Sequence, residues 1–389
     1  MILKQVQHDL QHTLTKLNIF VQNTVMRLIA DKNIPFLKGV LEPFFDVEYY
    51  SGSEITSEIV RNADALIIRT RTICDSNLLS GSKVKFIGSA TIGFDHIDTN
   101  YCANNNITWV NAPGCNSDGV QQWVATALIH WAELNSMNLS GLTIGVVGVG
   151  NVGKKVVDLA RVLGMKVLCC DPPRKRNEDL TDYVDFETVL KESDIITFHV
   201  PLNYEGIDRT FHMLNSHFIA FCRPNVYIVN SSRGEVINTE GLISFLESNP
   251  KAQAALDVWE NEPHLSVDLL RKTIIATPHI AGYSLEGKVM GTKMVIDSLS
   301  QSFNLGISPW FPTPNPLIEK LRVSNPTNIA SAIKSTYSIL GDDLRNTFES
   351  FENLRNNYNY RRDFSGHIVD NNSKYSQDLN RIGFSVSKE

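Results

Sequence analysis

Residues 141–171 read GLTIGVVGVGNVGKKVVDLARVLGMKVLCCD, and the order of residue types along this stretch decides the fold. The apolar run 142–147 predicts a strand buried on both faces, as in a parallel sheet. It leads into Gly148-Val-Gly150-Asn151-Val152-Gly153. Val156, Val157, Leu159, Ala160 and Leu163 then recur near helical spacing. Gly164 stops the helix, and 165–170 predicts a second strand closing on Asp171. Each glycine answers a steric demand: Gly148 permits a tight turn, Gly150 lets the backbone approach a pyrophosphate, and Gly153 lets helix and strand pack closely. The helix start at Asn151 and Val152 offers free N–H groups and the positive end of the helix dipole to phosphates. Asp171 is placed to accept hydrogen bonds from ribose hydroxyls and to repel a 2′-phosphate, which points to NAD over NADP. Two competing readings exist. The glycines alone also fit a tight turn in an ordinary α/β protein, and the following Arg174-Lys175-Arg176 is either a solvated basic turn or a seat for a 2′-phosphate.

The 389 residues allow two or three domains. A hydrophobic content of 42% with 20% charged residues fits a soluble globular protein, and a net charge of −6 leaves no general nucleic-acid footprint. No apolar run reaches membrane-spanning length, so no membrane partner is expected. The six cysteines form no CxxC pair and no metal-ligand spacing, so neither a metal site nor a disulfide framework is expected. Reduced core thiols suit a cytoplasmic protein. Residues 1–25 lack the compact apolar segment and cleavage site of a signal peptide. The α/β pattern starts cleanly at Met26, so 1–25 reads as an extra segment ahead of the true start; an amphipathic extension is the competing reading.

From Met26 strands and helices alternate. Strands are expected at 28–30, 47–50, 65–69, 85–90 and 107–110, with helical segments at 35–41, 54–61, 76–79 and 97–103. A helix over 118–133 enters the fingerprint region. Further strands are expected at 195–200, 226–230, 254–258 and 274–278, and a helix over 285–303 crosses back. Alternation of this kind implies parallel sheets. The fold class is therefore α/β: a Rossmann NAD-binding domain (118–279) inserted in a flavodoxin-like substrate domain (26–117 and 280–305). Pro309, Pro312, Pro314 and Pro316 mark a stiff linker over 306–316. Residues 317–389 read as a small α+β domain, helical over 327–340 with a strand at 367–369. It is too small to bury much apolar surface alone, and a second copy of the chain is the expected cover.

Three polar residues follow apolar strands: Arg233 after YIVNSS, Glu262 after ALDVW and His279 after TIIATP. Ligands of open α/β sheets bind outside the carboxyl ends of the strands, so these three are expected to converge near the nicotinamide. A guanidinium is a planar two-pronged donor for a carboxylate and its neighbouring oxygen. Imidazole titrates near neutrality and suits a general base for a hydroxyl proton, and a carboxylate on its other nitrogen would fix its tautomer. The set fits oxidation of a 2-hydroxy acid. Singly, each residue also reads as an ordinary ion-pair, turn or loop residue. Arg69-Thr70-Arg71-Thr72, at a strand end, crowds two cations and two hydroxyls into one loop, so Arg69 and Arg71 are candidates for a substrate phosphate.

The blocks NSSRG, LDVWENEP and TPHIAG resemble the signature blocks of the D-2-hydroxyacid dehydrogenases, over Met26 to about Phe303. The resemblance implies catalytic roles for Arg233, Glu262 and His279, and cofactor contacts at Asp257, Val200 and Gly282. A strand-end cap is the alternative for Asp257. SATIGFDHID, APGCN, CDPPR, TFHVPL, TPHIAGYSLEGK and FENLRNNYNYRRDF resemble, more narrowly, a branch of the family with an added C-terminal domain. That likeness implies NAD-dependent oxidation of 4-phospho-D-erythronate in pyridoxal 5′-phosphate synthesis, a homodimer formed through the C-terminal domain, and substrate contacts at Thr70, Thr91 and Tyr283. Arg361 and Arg362 are further candidates, reaching a partner's site. Two departures stand out: SDGVQQW follows APGCN where the family commonly has an acidic residue, and Val200 replaces a hydroxyl-bearing residue. A 3-phosphoglycerate- or glyoxylate-type dehydrogenase and a non-catalytic NAD-sensing scaffold remain the alternatives.

Overall fold

The computed structural model describes residues 26–371 and 373–387, so the reading of residues 1–25 lies outside the described residues. Two parallel sheets carry the chain. The first has the order β2-β1-β3-β4-β5, with β1 Met26–Asp31, β2 Phe45–Tyr50, β3 Ala65–Ile68, β4 Phe86–Ser89 and β5 Thr108–Val110. β3 and β4 are buried along their whole length, as an apolar run between two helical layers requires. The second sheet has the order β11-β10-β9-β8-β6-β7, from β6 Thr143–Val147, β7 Lys166–Cys170, β8 Ile195–Phe198, β9 Tyr227–Asn230, β10 Gln253–Leu256 and β11 Ile275–Ala276. Beyond β7 the Val184 N–H donates to the Cys169 carbonyl at 2.9 Å, a trace of one more strand. The order reverses between β6 and β8, and that reversal opens the crevice in which doubly wound sheets bind ligands.

Two long helices join the sheets. Ser117–Leu134 leads into the second, and Leu285–Phe303 returns to the first. The return helix lies hard against β4: a Cβ on Gly88 would meet Val295 Cγ1 at 2.4 Å, so the contact requires glycine. Val295, Ile296 and Leu299 complete the core formed by Leu28, Ala30, Ile67 and Phe86.

Some expected elements are shorter or broken. The stretch 35–41 forms turns, and 54–61 splits into a 3-10 turn Gly52–Glu54 and a helix Ser57–Val60. The expected helix 327–340 stops at Thr336, and Tyr337 is extended. Ser335 and Thr336 turn their hydroxyls back onto the Ala332 and Ile333 carbonyls, the competition with helical bonding that ends helices.

The C-terminal segment holds a three-stranded parallel sheet, β12 Leu321–Arg322, β13 His367–Val369 and β14 Ser385–Val386, in the order β12-β13-β14. Its apolar side does not wait for a second copy. Ala332, Ile333, Phe364, Leu379 and Phe384 share one core with Trp123, Ala127, Val156 and Leu159 of the fingerprint domain. The small-core argument for a partner therefore loses its premise, because the chain covers this face itself. Arg361 and Arg362 are also used internally. Arg361 donates to Gln122 Oε1 and to the Gly119 and Ile280 carbonyls, and Arg362 pairs with buried Glu286. Both tie the C-terminal segment to the helices Ser117–Leu134 and Leu285–Phe303. Among the described residues no helix is long and apolar enough to cross a membrane.

Candidate active site

Strands β9, β10 and β11 are neighbours and all parallel, so the loops leaving their carboxyl ends share one edge of the sheet. Arg233, Glu262 and His279 lie on those loops. The loops abut: a Cβ on Gly234 would lie 2.0 Å from the Trp259 carbonyl carbon. His279 Nδ1 faces Glu262, 2.8 Å from Oε2 and 3.1 Å from Oε1. A neutral ring facing a carboxylate through Nδ1 carries its proton there, which leaves the Nε2 lone pair free to accept another. Burial pushes the Glu262 carboxyl up, but the adjacent imidazole and the Arg355 guanidinium outweigh it, and the net shift is downward. His279 sits at φ +56, in the left-handed region. The cost is offset by Asp257, whose carboxylate accepts from the Ile280 N–H at 2.8 Å, the Ala281 N–H at 2.9 Å and the Thr277 hydroxyl at 2.6 Å. Asp257 is 1% exposed, and its structural part is to hold the loop that carries the imidazole.

The fingerprint glycines fit a dinucleotide. Gly148 has φ +85, and a Cβ there would meet the His199 carbonyl oxygen at 2.6 Å. A Cβ on Gly153 would lie 2.0 Å from the Gly148 carbonyl oxygen. Gly150 meets nothing within 4 Å, so its side faces open space where a pyrophosphate would lie. It is also the N-cap of the helix Asn151–Val162, with no side-chain cap, and the first N–H groups at Asn151 and Val152 stay free for phosphate oxygens. Val200 lines the same turn, its Cγ1 2.8 Å from a Cβ built on Gly148. A Cβ on Gly282 would lie 2.2 Å from Asn116 Nδ2, which fixes glycine there for packing.

Asp171 accepts from the Val149 N–H at 2.8 Å and the Arg174 N–H at 3.1 Å, and so joins the glycine turn to the end of β7. Two of its four lone-pair positions remain for ribose. The two arginines of the basic turn are paired, Arg174 with Glu178 and Arg176 with Asp208, each at 2.5 Å. Neither guanidinium is free for a 2′-phosphate. Asp171→Ala is expected to lower the NAD-to-NADP ratio of kcat/KM about 10-fold, the worth of one hydrogen bond to a charged group; an unchanged ratio in steady-state assays would remove the carboxylate from cofactor choice.

The substrate side is built from the first sheet, the return helix and the C-terminal segment. Thr70 is exposed just beyond β3. The Thr91 hydroxyl lies beyond β4, 2.7 Å from Ser89 Oγ and 3.2 Å from the Gly93 carbonyl, and His96 Nε2 backs Ser89 at 3.1 Å. Burial pushes His96 down to about 4, so the ring is neutral there. Arg69 is less free than the sequence implied, since it pairs at 3.0 Å with Asp31, a fully buried carboxylate. Arg71 pairs with Glu352 of the C-terminal helix Phe351–Asn356.

Two cations escaped the sequence reading. Arg355, on that helix, is 11% exposed, 3.9 Å from Glu262 and 3.6 Å from Glu352, and its buried Nε has no hydrogen-bond partner. Lys288, on the return helix, has no ion-pair partner among the described residues. Its Nζ lies 3.4 Å from the Tyr283 ring centroid and 5.2 Å from that of Tyr360. Aromatic faces stabilise a cation only weakly, and burial pushes Lys288 below its ordinary pKa. Burial alone would raise the Tyr283 phenol, but Lys288, Arg355 and Arg69 hold it down at about 8. Both missed residues lie in the stretches GYSLEGK and FENLRNNYNYRRDF, yet no local pattern separates Arg355 from Arg361 or Arg362. Arg233 completes the site: its Nε and Nη2 donate to Asp95 of the first sheet's domain at 3.1 and 2.9 Å.

The family described as D-isomer specific 2-hydroxyacid dehydrogenase, NAD binding domain, matches residues 117–281. A protein of Bacteroides fragilis named erythronate-4-phosphate dehydrogenase is 44% identical, covering 87% of this chain and 97% of its own. One of the same name from Proteus mirabilis is 38% identical, covering 93% of this chain and 100% of its own. Among solved structures, D-lactate dehydrogenase of Aquifex aeolicus, complexed with NAD and lactic acid, superposes with a TM-score of 0.62 at 25% identity, covering 72% of this chain and 95% of its own. The cofactor is NAD, as the match to an NAD-binding family indicates and as the carboxylate of Asp171 at the end of β7 favours. A chain with this pair of parallel sheets, this cradle and relatives of such similarity over nearly their whole length belongs to the erythronate-4-phosphate dehydrogenases, within the D-isomer-specific 2-hydroxyacid dehydrogenase family.

Proposed function

We propose that the protein oxidises the 2-hydroxyl of 4-phospho-D-erythronate to (R)-3-hydroxy-2-oxo-4-phosphooxybutanoate with NAD, in pyridoxal 5′-phosphate synthesis. The observation that carries this reading is Lys288, a partly buried cation without a carboxylate partner among the described residues, with Arg69 and Arg355 near it, Arg71 near Arg355, and the His279–Glu262 pair alongside. A carboxylate alone needs only Arg233. The surplus positive charge fits a second anion, a phosphate at the far end of the substrate.

In this reading Arg233 grips the substrate carboxylate and the oxygen beside it. His279 Nε2 takes the proton from the 2-hydroxyl as the C2 hydride departs. Glu262 holds the ring by Nδ1 and stabilises the imidazolium that forms. Bound NAD supplies the hydride acceptor. Thr70 and Thr91 position the chain of hydroxyls, and Tyr283 with Lys288, Arg71 and Arg355 holds the phosphate. Asp257 has one lone pair left with which to meet the nicotinamide carboxamide, beside Gly282. All six cysteines are free thiols, which fits a cytoplasmic enzyme. A homodimer through the C-terminal domain is part of the proposal, and the exposed Ile318 and Leu340 are the residues to cover.

The deciding experiment is steady-state turnover on 4-phospho-D-erythronate, 3-phosphoglycerate and glyoxylate. Preference for the first is expected. Preference for 3-phosphoglycerate, whose phosphate lies one carbon nearer the carboxylate, would move the protein to another branch, and NADH binding without turnover on any acid would make it a sensor.

The charge balance at Tyr283 adds a pH dependence with a fixed sign. Above about pH 8 the phenol ionises, placing a negative charge beside the substrate phosphate while Lys288 tends to lose its own charge. KM for the phosphorylated acid is therefore expected to rise as pH increases past about 8, and KM for D-erythronate is not. Tyr283→Phe should displace that rise to higher pH. An identical pH profile for the two acids would contradict the phosphate seat.

A further inference from the structure

A guanidinium has five N–H donors and two edges that grip a carboxylate in bidentate fashion. In Arg233 the edge made by Nε and Nη2 is closed, since both nitrogens donate to Asp95 Oδ2, at 3.1 and 2.9 Å. Nη1 donates to the Ser232 carbonyl at 2.8 Å. Two donors remain, and the only edge left for a bidentate grip is the outer one, Nη1 with Nη2. The turn after β4 is shaped around this group. A Cβ on Gly93 would lie 2.0 Å from Arg233 Nη2. The same turn holds Thr91 by its hydroxyl on the Gly93 carbonyl. Asp95 and Gly93 belong to the first sheet's domain and Arg233 to the second, so the guanidinium spans the cleft between them.

We propose that Asp95 is a positioning residue for the dehydrogenation: it holds the inner edge of Arg233 and so aims the outer edge at the substrate carboxylate, coupling the grip to contact between the two domains. The inference rests on the reading of Arg233 as the carboxylate-binding group. The alternative use of such a contact is plain cohesion between domains. The pair is half-exposed, with side chains 26% and 40% accessible, and exposed ion pairs contribute little to stability. An effect on substrate binding without one on melting therefore separates the two.

The test is a double-mutant cycle on the full chain, with kcat and KM on 4-phospho-D-erythronate, NADH affinity by fluorescence, and Tm. Asp95→Asn is expected to lower kcat/KM about 10-fold or more, largely through KM, with NADH affinity and Tm unchanged. In an Arg233→Lys background the same substitution should cost less than about 2-fold, because the group it aims is gone. Asp95→Glu should restore part of the loss. Gly93→Ala, which drives a methyl against Nη2, should reproduce the rise in KM with Asp95 intact. Equal losses from Asp95→Asn in both backgrounds, no loss at all, or a loss matched by a fall in Tm would overturn the proposal while leaving the reaction standing. A wild-type protein inert towards every 2-hydroxy acid would instead remove the functional reading, and this inference with it.

Discussion

His279→Ala is expected to lower kcat on 4-phospho-D-erythronate by about 10²–10⁴-fold, the usual worth of a positioned general base, and to leave NADH affinity within about 2-fold. The imidazole has one structural partner, Glu262 at 2.8 Å, and its Nε2 is the nitrogen left for chemistry. The loop does not depend on the ring. Its backbone is held by Asp257, which takes the Ile280 and Ala281 N–H groups on its carboxylate and the His279 N–H on its own carbonyl at 2.8 Å. Alanine is strained at φ +56 much as histidine is, so the variant keeps the same loop problem and the same restraint. The cradle for NAD lies on β6 and the helix Asn151–Val162 and is untouched. Glu262→Gln is expected to lose less, because an amide oxygen still accepts the Nδ1 proton while the charge that favours the imidazolium is lost. Stopped-flow NADH fluorescence separates the hydride step from product release. A His279→Ala enzyme that retains a tenth of wild-type turnover would remove the imidazole as the base.

The residues that the sequence makes legible are those whose position along the chain already fixes their place in space. An apolar run in a parallel sheet has a direction, so a polar residue just after it lies at the carboxyl edge. That is why Arg233, Glu262 and His279 are readable from strand patterns alone. The glycines are legible for a related reason: turn, cradle and close packing each exclude a Cβ, and Gly148, Gly150 and Gly153 meet those three conditions in order. The residues that stayed hidden are set by packing between distant segments. Asp31 is an ordinary strand-end acid until the fold buries it beneath Arg69. Lys288 reads as one of several charged positions on an amphipathic helix until Tyr283 and Tyr360 close over it. Arg355, Arg361 and Arg362 lie within eight residues of one another, and only the docking of the C-terminal segment sends Arg355 to Glu262 of the candidate site, Arg361 to Gln122 and the Gly119 and Ile280 carbonyls, and Arg362 to Glu286. The same docking explains why a second copy looked necessary. A seventy-residue segment judged alone has too little core, but its apolar residues were completing that of the helix Ser117–Leu134.

Lys288→Ala combined with Arg355→Ala is expected to lower kcat/KM for 4-phospho-D-erythronate by about 10²–10³-fold and for unphosphorylated D-erythronate by less than about 3-fold. In the proposed seat each removed cation would take with it a charge-assisted hydrogen bond to phosphate, worth about 10-fold or more. Neither touches the carboxylate grip of Arg233 nor the Nε2 of His279. The single substitutions are informative in different ways. Arg355 also lies 3.9 Å from Glu262 and helps hold that carboxyl in its charged form, so Arg355→Ala should weaken turnover of both acids slightly. Lys288 has no such second duty, and its substitution should act on the phosphorylated acid alone. Stability moves the other way. An unpaired buried cation is costly to the folded state, and Lys288 sits against two aromatic rings with burial already pushing its pKa down. Lys288→Met, which keeps the bulk, is therefore expected to raise Tm while lowering the preference for the phosphorylated acid about 10-fold, the pattern of a residue retained for function at the expense of the fold. The comparison needs both readouts. A Lys288→Met protein that melts lower would show that the ammonium is stabilised by its surroundings rather than waiting for an anion, and one whose preference for the phosphorylated acid is unchanged would place the phosphate elsewhere in the cleft.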